Sequence, residues 1–194
     1  MEPFGALFDF LNKFLPLSEE EFQLLVLPYV EVRQVKKKQV LTDAGAVEEY
    51  LNFINKGLVR KYFIRDGEEF STQVSYEGQV IHSQESFYAR IPSEYFIETV
   101  EAGTLFSFSH QNLETMFSAN AKMERLGRKI VTYIMVVMDR WQMQLLKLSA
   151  RDRFIYFVQH NPVLMQRTPQ KYLASLLNIQ PETFSRFKHL IKNA

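Results

Sequence analysis

The chain has 194 residues, 46% of them hydrophobic, and its 23 Lys or Arg and 22 Asp or Glu give a net charge of +1. This length fits one large domain or a medium domain with a small module, and the lack of cysteine excludes disulfides and thiolate metal sites. The sequence has no run of about 18 apolar residues that could span a membrane, and it does not begin with a signal-peptide pattern. We therefore expect a cytoplasmic protein without a membrane partner.

Two short helices are predicted at the N-terminus. Residues 4–15 carry apolar side chains at helical spacing. Ser18 followed by Glu21 forms a capping-box pattern that predicts the start of a second helix, and Pro28 ends it. Neither helix carries a motif that indicates chemistry.

The stretch from Val30 to Ser109 has the two-residue period of half-buried strands. Turn-forming pairs such as Asp66-Gly67 and Ala102-Gly103 separate its short runs. Many short strands at such intervals predict a closed β-roll or jelly-roll. The stretch contains no glycine-rich phosphate loop of the Walker or Rossmann type.

Residues 113–148 are predicted to form one or two helices, the later part long. Apolar residues that step by three and four form a heptad seam on it. The seam consists of Met123, Leu126, Ile130, Tyr133 and Val137. A second apolar stripe consists of Ile134, Trp141, Leu145 and Leu148. One stripe could pack on the β-roll while the other meets a partner.

Ser149 opens a further predicted helix, which ends before Pro162. Arg151 and Arg153 on this helix could touch a phosphate backbone or could simply be solvated. Residues 163–169 are predicted to be a short link to the final helices.

The last predicted element is a pair of short helices in residues 170–191. Asn178 tolerates the left-handed conformation that ends many helices, and Pro181 suits the first position of the next one. Ala174 is small where two helices would cross closely. The outward side of the second helix carries Glu182, Ser185, Arg186 and His189. Such groups can contact base edges in a major groove, whereas the alternative is a helical hairpin with a solvated polar face.

Charge is unevenly distributed along the chain. Residues 149–194 contain seven basic and two acidic residues, a net charge of +5, which leaves −4 for the remaining residues. A basic module on an acidic body is the pattern expected of a protein that binds a polyanion. A solvated basic face is the alternative.

The run LASLLNIQPETFSRFK, residues 173–188, resembles the helix-turn-helix of the catabolite activator/FNR (Crp/Fnr) superfamily, and residues 182–186 match its Glu-Thr-hydrophobic-[Gly/Ser]-Arg pattern in order. The resemblance implies that Glu182 and Arg186 contact bases. It also implies positions near phosphates for Thr168, Gln170, Lys171, Gln180 and Thr183. Pro181 stands where this family often has arginine, and the sequence stops too early for the usual β-hairpin wing. We therefore expect weaker or less specific DNA binding.

Residues 52–69, NFINKGLVRKYFIRDGEE, resemble the strand–turn–strand layout of the superfamily's sensor, a cyclic-nucleotide-binding β-roll. Nucleotide-binding members have a phosphate cassette with Gly-Glu near its start and Arg-[Ser/Thr]-Ala near its end. Here residues 93–95 are Ser-Glu-Tyr, and the nearest matches to Gly-Glu are Gln84 and Glu85. Because the anchoring arginine is missing and a carboxylate stands beside its place, we expect no cofactor and no cyclic AMP bound in the usual way.

The candidate effector pocket consists of Glu85, Ser86, Arg90, Ser93, Glu94 and Tyr95. Arg90 could replace the missing arginine, although its spacing differs. The pocket either holds an unknown effector, apolar or cationic, or is filled by the aromatic residues Phe87, Tyr88 and Tyr95. A regulator that still responds to a cyclic nucleotide is an alternative.

In this family the long helix makes a twofold dimer, so the resemblance implies that the heptad seam is a dimer interface. Two recognition helices would then enter successive major grooves of a palindromic site, about 34 Å apart. The expected partners are double-stranded DNA and a second copy of the chain, with RNA polymerase as a further one. An interaction protein that keeps the fold without binding DNA is the alternative.

Enzyme classes find little support. A cupin-like metal enzyme needs clustered His and carboxylate ligands, but the four histidines are scattered along the chain. His82 and His110 could still meet in space. Ser-His-Asp catalysis lacks a nucleophile-elbow sequence. We expect no metal site and no enzyme.

The sequence therefore predicts an α+β chain in three parts. Residues 1–112 form a cyclic-nucleotide-binding-like β-roll with flanking helices, residues 113–148 form a long connecting and dimerisation helix, and residues 149–194 form a helix-turn-helix domain. The predicted function is that of a Crp/Fnr-like transcription regulator.

Overall fold

The computed structural model describes residues 3–189. Helices α1 (Gly5–Asn12) and α2 (Glu19–Leu25) and a 3₁₀ turn (Leu27–Tyr29) precede the strands. The capping box predicted at the start of α2 is confirmed. The Ser18 hydroxyl accepts a hydrogen bond from the Glu21 N–H at 3.1 Å, and the Ser18 N–H donates to the Glu21 carboxylate at 2.9 Å.

The predicted β-roll consists, within the described residues, of two four-stranded antiparallel sheets. Its strands are β1 (Glu31–Val35), β2 (Val40–Thr42), β3 (Tyr50–Lys56), β4 (Val59–Arg65), β5 (Glu68–Ser75), β6 (Val80–Ile81), β7 (Phe96–Thr99) and β8 (Gly103–Ser109). One sheet has the order β1-β8-β3-β6 and the other β2-β7-β4-β5. Strands β2 and β6 were not predicted, because two or three residues are too few to show an alternating pattern.

Two turns show why the strands end where they do. Asp66 and Gly67 both have positive φ, 54° and 79°, as a tight turn between β4 and β5 requires. At the other end of the roll the backbones of two turns touch. A Cβ on Gly103 would lie 1.9 Å from the Lys56 carbonyl oxygen, so only glycine fits there.

Aromatic residues join the N-terminal helices to the roll. Phe53 on β3 and Phe106 on β8 are buried and stack with their ring centroids 6.3 Å apart. Phe10 of α1 packs against Phe53 at 5.3 Å. The two sheets enclose a separate aliphatic cluster of Val35, Ile54, Val59, Ile81, Ile97 and Leu105.

Three helices follow or interrupt the strands. Helix α3 (Gln84–Ala89) lies between β6 and β7, and α4 (His110–Ala119) follows β8. The long helix α5 (Ala121–Lys147) begins after a break at Asn120, whose side chain caps it. None of the helices within residues 3–189 is both long enough and apolar enough to span a lipid bilayer.

The C-terminal part of the chain is helical. Its helices are α6 (Ala150–His160), α7 (Pro162–Arg167), α8 (Gln170–Leu176) and α9 (Pro181–Phe187). The prediction of a link at residues 163–169 is wrong, because Pro162 takes the first position of α7 and Leu164 is buried. Ile191, predicted on the apolar side of the last helix, lies outside the described residues.

Candidate nucleic-acid interface

The turn between α8 and α9 has the geometry predicted from its residues. Asn178 has a φ of 50°, the left-handed conformation that ends α8, and Pro181 occupies the first position of α9. Ala174 is fully buried where the helices meet. Phe184 of α9 packs edge-on against Phe154 of α6 at 5.1 Å, and both are fully buried. Helices α6, α8 and α9 therefore share one core.

Arg153 holds the end of α5 and the turn after α8 together through hydrogen bonds. Its position in the sequence had suggested contact with phosphates or solvent instead. Its guanidinium lies between the end of α5 and the turn after α8. It donates hydrogen bonds to the carbonyl oxygens of Leu145 at 2.8 Å, Leu148 at 3.0 Å, Leu177 at 3.0 Å and Asn178 at 3.3 Å. Arg153 is therefore structural, whereas its neighbour Arg151 is exposed.

The outward side of α9 and of the turn after it carries the groups predicted to contact bases. Glu182, Ser185, Arg186 and His189 are exposed, as is Gln180 at the N-cap, and Thr183 is half-buried. Within residues 3–189 neither Glu182 nor Arg186 takes part in an ion pair. This face therefore presents a carboxylate, a hydroxyl, a guanidinium and an imidazole to a ligand.

The side chains predicted near phosphates around the start of α8 have different surroundings. Gln170 is exposed. Lys171 is also exposed, but its ammonium lies 3.7 Å from the Glu69 carboxylate of β5. Thr168 is buried, and its hydroxyl has no hydrogen-bond partner among the described residues. An open cleft of about 500 Å³ is lined by Thr168, Gln170 and Lys188, among other residues.

Helix α8 is docked on the β-roll. The Ser175 hydroxyl accepts a hydrogen bond from the Ser71 N–H of β5 at 2.6 Å. The Arg60 guanidinium of β4 lies 3.8 Å from the centroids of both Tyr62 and Tyr172, so a ring of the roll and a ring of α8 enclose it. One hydrophobic cluster combines Leu58, Val74 and Val100 of the roll with Phe154, Phe157, Leu164, Leu173, Leu176 and Phe184 of the helices.

The candidate effector residues of the β-roll form hydrogen bonds within the chain. The Ser93 hydroxyl bonds to the Ser83 hydroxyl at 2.9 Å and donates to the Tyr95 carbonyl at 2.8 Å. The Ser86 hydroxyl donates to the Ile91 carbonyl at 2.6 Å. These hydroxyls are buried and already have partners, so they are not poised to replace the hydration of a phosphate.

The remaining candidate effector residues point to the same conclusion. Arg90 donates to the Glu48 carbonyl at 2.7 Å and pairs with the Glu49 carboxylate at 2.5 Å. Glu85 and Glu94 are exposed, and Tyr95 is half-buried. Of the aromatic residues expected to fill the pocket, Phe87 is fully buried and Tyr88 is half-exposed.

The β-roll contains a buried polar cluster that was not predicted from the sequence. The Lys61 ammonium donates to the Gln84 side chain at 2.6 Å, and burial lowers the pKa of Lys61 to about 8. Burial raises the pKa of Glu48, whose carboxylate accepts from the Thr42 hydroxyl at 2.9 Å. Burial also lowers the pKa of His82 to about 3. The one signal for this cluster in the sequence was Lys61, which takes an inward-facing strand position in an otherwise apolar pattern.

The heptad seam on α5 begins inside the protein. Met123 and Leu126 are 0% and 2% exposed and belong to the core formed by the roll and α1, and Ile130 packs against that core. Met123 and Leu126 are therefore corrected from dimer contacts to core residues. Heptad spacing could not distinguish the two roles, because a helix packs on its own domain with the same period.

The later part of α5 has a large exposed apolar surface. Tyr133 and Val137 of the predicted seam are 50% and 44% exposed. A stripe that was not predicted runs along one side, since its members step by four, three and eight residues. This exposed stripe consists of Val131, Met135, Met138 and Leu146. Trp141 of the second predicted stripe packs instead against Phe157 of α6, with the ring centroids 6.2 Å apart.

The histidines do not assemble a metal site. His82 and His110 each pack edge-on against the ring of Phe87, with ring centroids 5.4 and 5.3 Å away. In residues 3–189 no group of three or more His, Asp or Glu side chains is placed to hold a metal ion.

Solved structures share this arrangement. FixK2 from Bradyrhizobium japonicum superposes with a TM-score of 0.70 at 14% identity, over 84% of this chain and 85% of that chain. The Thermus thermophilus catabolite activator protein gives 0.58 at 19% identity, over 93% and 86%. A structure described as a regulator of the crp/fnr family from Eubacterium rectale gives 0.65 at 13% identity, over 93% and 88%.

The sequence itself matches no protein-family model and no curated protein. The likeness therefore lies in the fold and not in the sequence. This chain has the fold of the Crp/Fnr transcription regulators.

Proposed function

We propose that the chain is a transcription regulator that binds double-stranded DNA through α9. The observation that carries the proposal is the exposed polar side of α9, held by a buried apolar side in a fold shared with Crp/Fnr regulators. Arg186 suits a bidentate contact with guanine, and Glu182 can accept from the amino group of cytosine. The net charge of +5 over residues 149–194 favours the same polyanionic partner.

The proposal includes a homodimer formed along α5. Support comes from the exposed stripe of Val131, Met135, Met138 and Leu146, which lies away from the core-facing Met123. Exposed apolar side chains clustered on one side of a helix are unfavourable unless a partner covers them. A twofold axis along α5 would present two copies of α9 to a palindromic site.

A Met135→Glu substitution tests this dimer. We expect sedimentation equilibrium to give a dimer for the native chain and a monomer for the variant, because a carboxylate would be buried without a partner. Gln159→Glu, at an exposed position on α6, is the charge-matched control and should stay dimeric. A native monomer at micromolar concentration would contradict the dimer.

The β-roll is proposed to be a regulatory domain that does not bind cyclic AMP in the usual way. Ser93 stands at the position of the anchoring arginine, its hydroxyl is already bonded within the chain, and Glu94 beside it is exposed. Calorimetry with cyclic AMP and cyclic GMP should detect no binding. Micromolar binding of either would contradict this part of the proposal and favour the cyclic-nucleotide-responsive alternative.

DNA binding is tested by selection from a random pool of duplexes, followed by fluorescence anisotropy of the recovered sequence. We expect an enriched palindromic site whose affinity falls steeply with salt, since each phosphate contact adds about 0.9 to the log–log slope. No enrichment and no salt-dependent binding would favour an interaction protein that keeps the fold.

A further inference from the structure

A set of carboxylates on the β-roll faces the basic helical module. We define the acidic edge as Glu69, Glu77 and Glu101. Arg167, at the end of α7, binds two of them: its guanidinium donates to both Glu77 oxygens at 2.6 and 2.9 Å and to both Glu101 oxygens at 2.6 and 3.2 Å. One planar guanidinium thus engages two carboxylates in paired geometry, the strong form of this contact.

The acidic edge is preorganised for a cation. The Gly57 N–H donates to the Glu77 carboxylate at 2.7 Å, which fixes its orientation independently of Arg167. Hydrogen bonds from Arg167 lower the pKa of Glu77 to about 2, so the carboxylate is charged at neutral pH. Glu77 and Glu101 would repel each other without a cation between them.

The third carboxylate, Glu69, lies beside α8, the first helix of the helix-turn-helix. Glu69 accepts from the buried Arg60 guanidinium at 2.9 Å and lies 3.7 Å from the Lys171 ammonium. Lys171 is a residue that the resemblance puts near phosphates. Arg167 and Lys171, two of the cations in the basic module, are therefore paired with carboxylates of the roll.

We propose that the acidic edge is an autoinhibitory contact, in which Glu69, Glu77 and Glu101 occupy the cations that DNA phosphates would otherwise pair with. The inference rests on the proposed DNA binding and adds its regulation. A duplex that brings phosphates to Gln170 and Lys171 also brings them to Glu69, and the like charges repel. Full engagement of DNA therefore requires α8 to leave the edge, while α9 stays exposed in both arrangements.

The first test neutralises the edge with Glu77→Gln and Glu101→Gln together. A labelled random-sequence duplex of about 30 base pairs is the probe, because phosphate contacts do not depend on the operator. We expect affinity to rise about three- to tenfold and the salt slope to steepen by about one, as freed cations reach phosphates. The control Glu20→Gln with Glu114→Gln removes two exposed charges elsewhere and should change affinity less than about twofold.

The second test locks the contact. Ser175 Oγ lies 2.6 Å from Ser71 N, so the two Cα atoms are within about 6.5 Å, inside the range of a disulfide. Because the chain has no cysteine, Ser71→Cys with Ser175→Cys gives a single pair. Treatment with oxidised glutathione should form the bond and weaken binding of the random duplex at least about threefold, and reduction should restore it.

The outcomes separate this inference from the proposed function. If the native chain binds the duplex but the neutralised variant matches the control, or the oxidised lock binds as well as the reduced form, the autoinhibitory role is overturned and DNA binding stands. If neither the native chain nor the neutralised variant binds, the proposed function fails and the inference fails with it.

Discussion

Strand β4 carries two buried cations in consecutive positions. They lie on opposite faces of the strand and have different surroundings. Arg60 points to α8, is 1% exposed, pairs with Glu69 and Glu98 and lies between two tyrosine rings. Lys61 points into the roll, is 5% exposed and has one hydrogen-bond partner, the neutral amide of Gln84.

The contrast shows that burial alone does not define the role of a charged residue. The outer cation is compensated by groups from the roll and stacked on a ring from α8, so it anchors the two parts of the chain. The inner cation keeps a desolvation cost, which is why its pKa falls to about 8. We therefore expect removal of the Arg60 charge to lower the free energy of unfolding and removal of the Lys61 charge to raise it.

The largest expected effect comes from Arg60→Met. It leaves Glu98 and Glu69 without their buried partner and removes two ring contacts, so we expect the free energy of unfolding to fall by about 3–5 kcal/mol. Urea denaturation measures it. Arg65→Met, an exposed position on the same strand, should change stability by less than about 0.5 kcal/mol. Equal effects of the two substitutions would contradict the anchoring role.

Lys61 is expected to make the free energy of unfolding depend on pH. Its pKa is about 8 in the folded chain and about 10.4 when unfolded, so between these values the unfolded state binds more protons and stability rises with pH. We expect urea denaturation to show the native chain gaining about 1–2 kcal/mol relative to Lys61→Met between pH 8 and pH 9.5. Parallel pH profiles for the two chains would show that Lys61 is not under-compensated.

The smallest expected effect concerns the hydrogen bond beside Arg60. Ser175→Ala removes the acceptor of the Ser71 N–H and should lower the free energy of unfolding by about 1 kcal/mol. Ser118→Ala, exposed on α4, is the matched control and should have almost no effect. A loss as large as that of Arg60→Met would mean that the docking depends on this bond and not on the cation.

Local signals in the sequence predicted local structure well. The pattern of Ser18 and Glu21 predicted the cap of α2, and Asn178 with Pro181 predicted the turn of the helix-turn-helix, because each depends on a few neighbouring residues. The β-roll followed from strand spacing and turn residues. Pro162 was the local signal for α7 that the prediction passed over.

Contacts between distant segments could not be predicted. Arg167 and Glu77 are 90 residues apart, and nothing near either residue indicates the other. Likewise Arg60 and Lys61 are adjacent cations in the sequence, and only the pairing of sheets and helices decides which one meets carboxylates. The helical period placed Met123 on an apolar stripe but could not tell core from interface.

The central claim is that the outward side of α9 reads DNA bases, and Arg186→Ala tests it most directly. Fluorescence anisotropy should compare the native and variant chains on the selected duplex and on a random duplex of equal length. We expect the variant to lose about 1–3 kcal/mol on the selected duplex and much less on the random one, with unchanged stability. Equal losses on both duplexes would contradict base reading by Arg186.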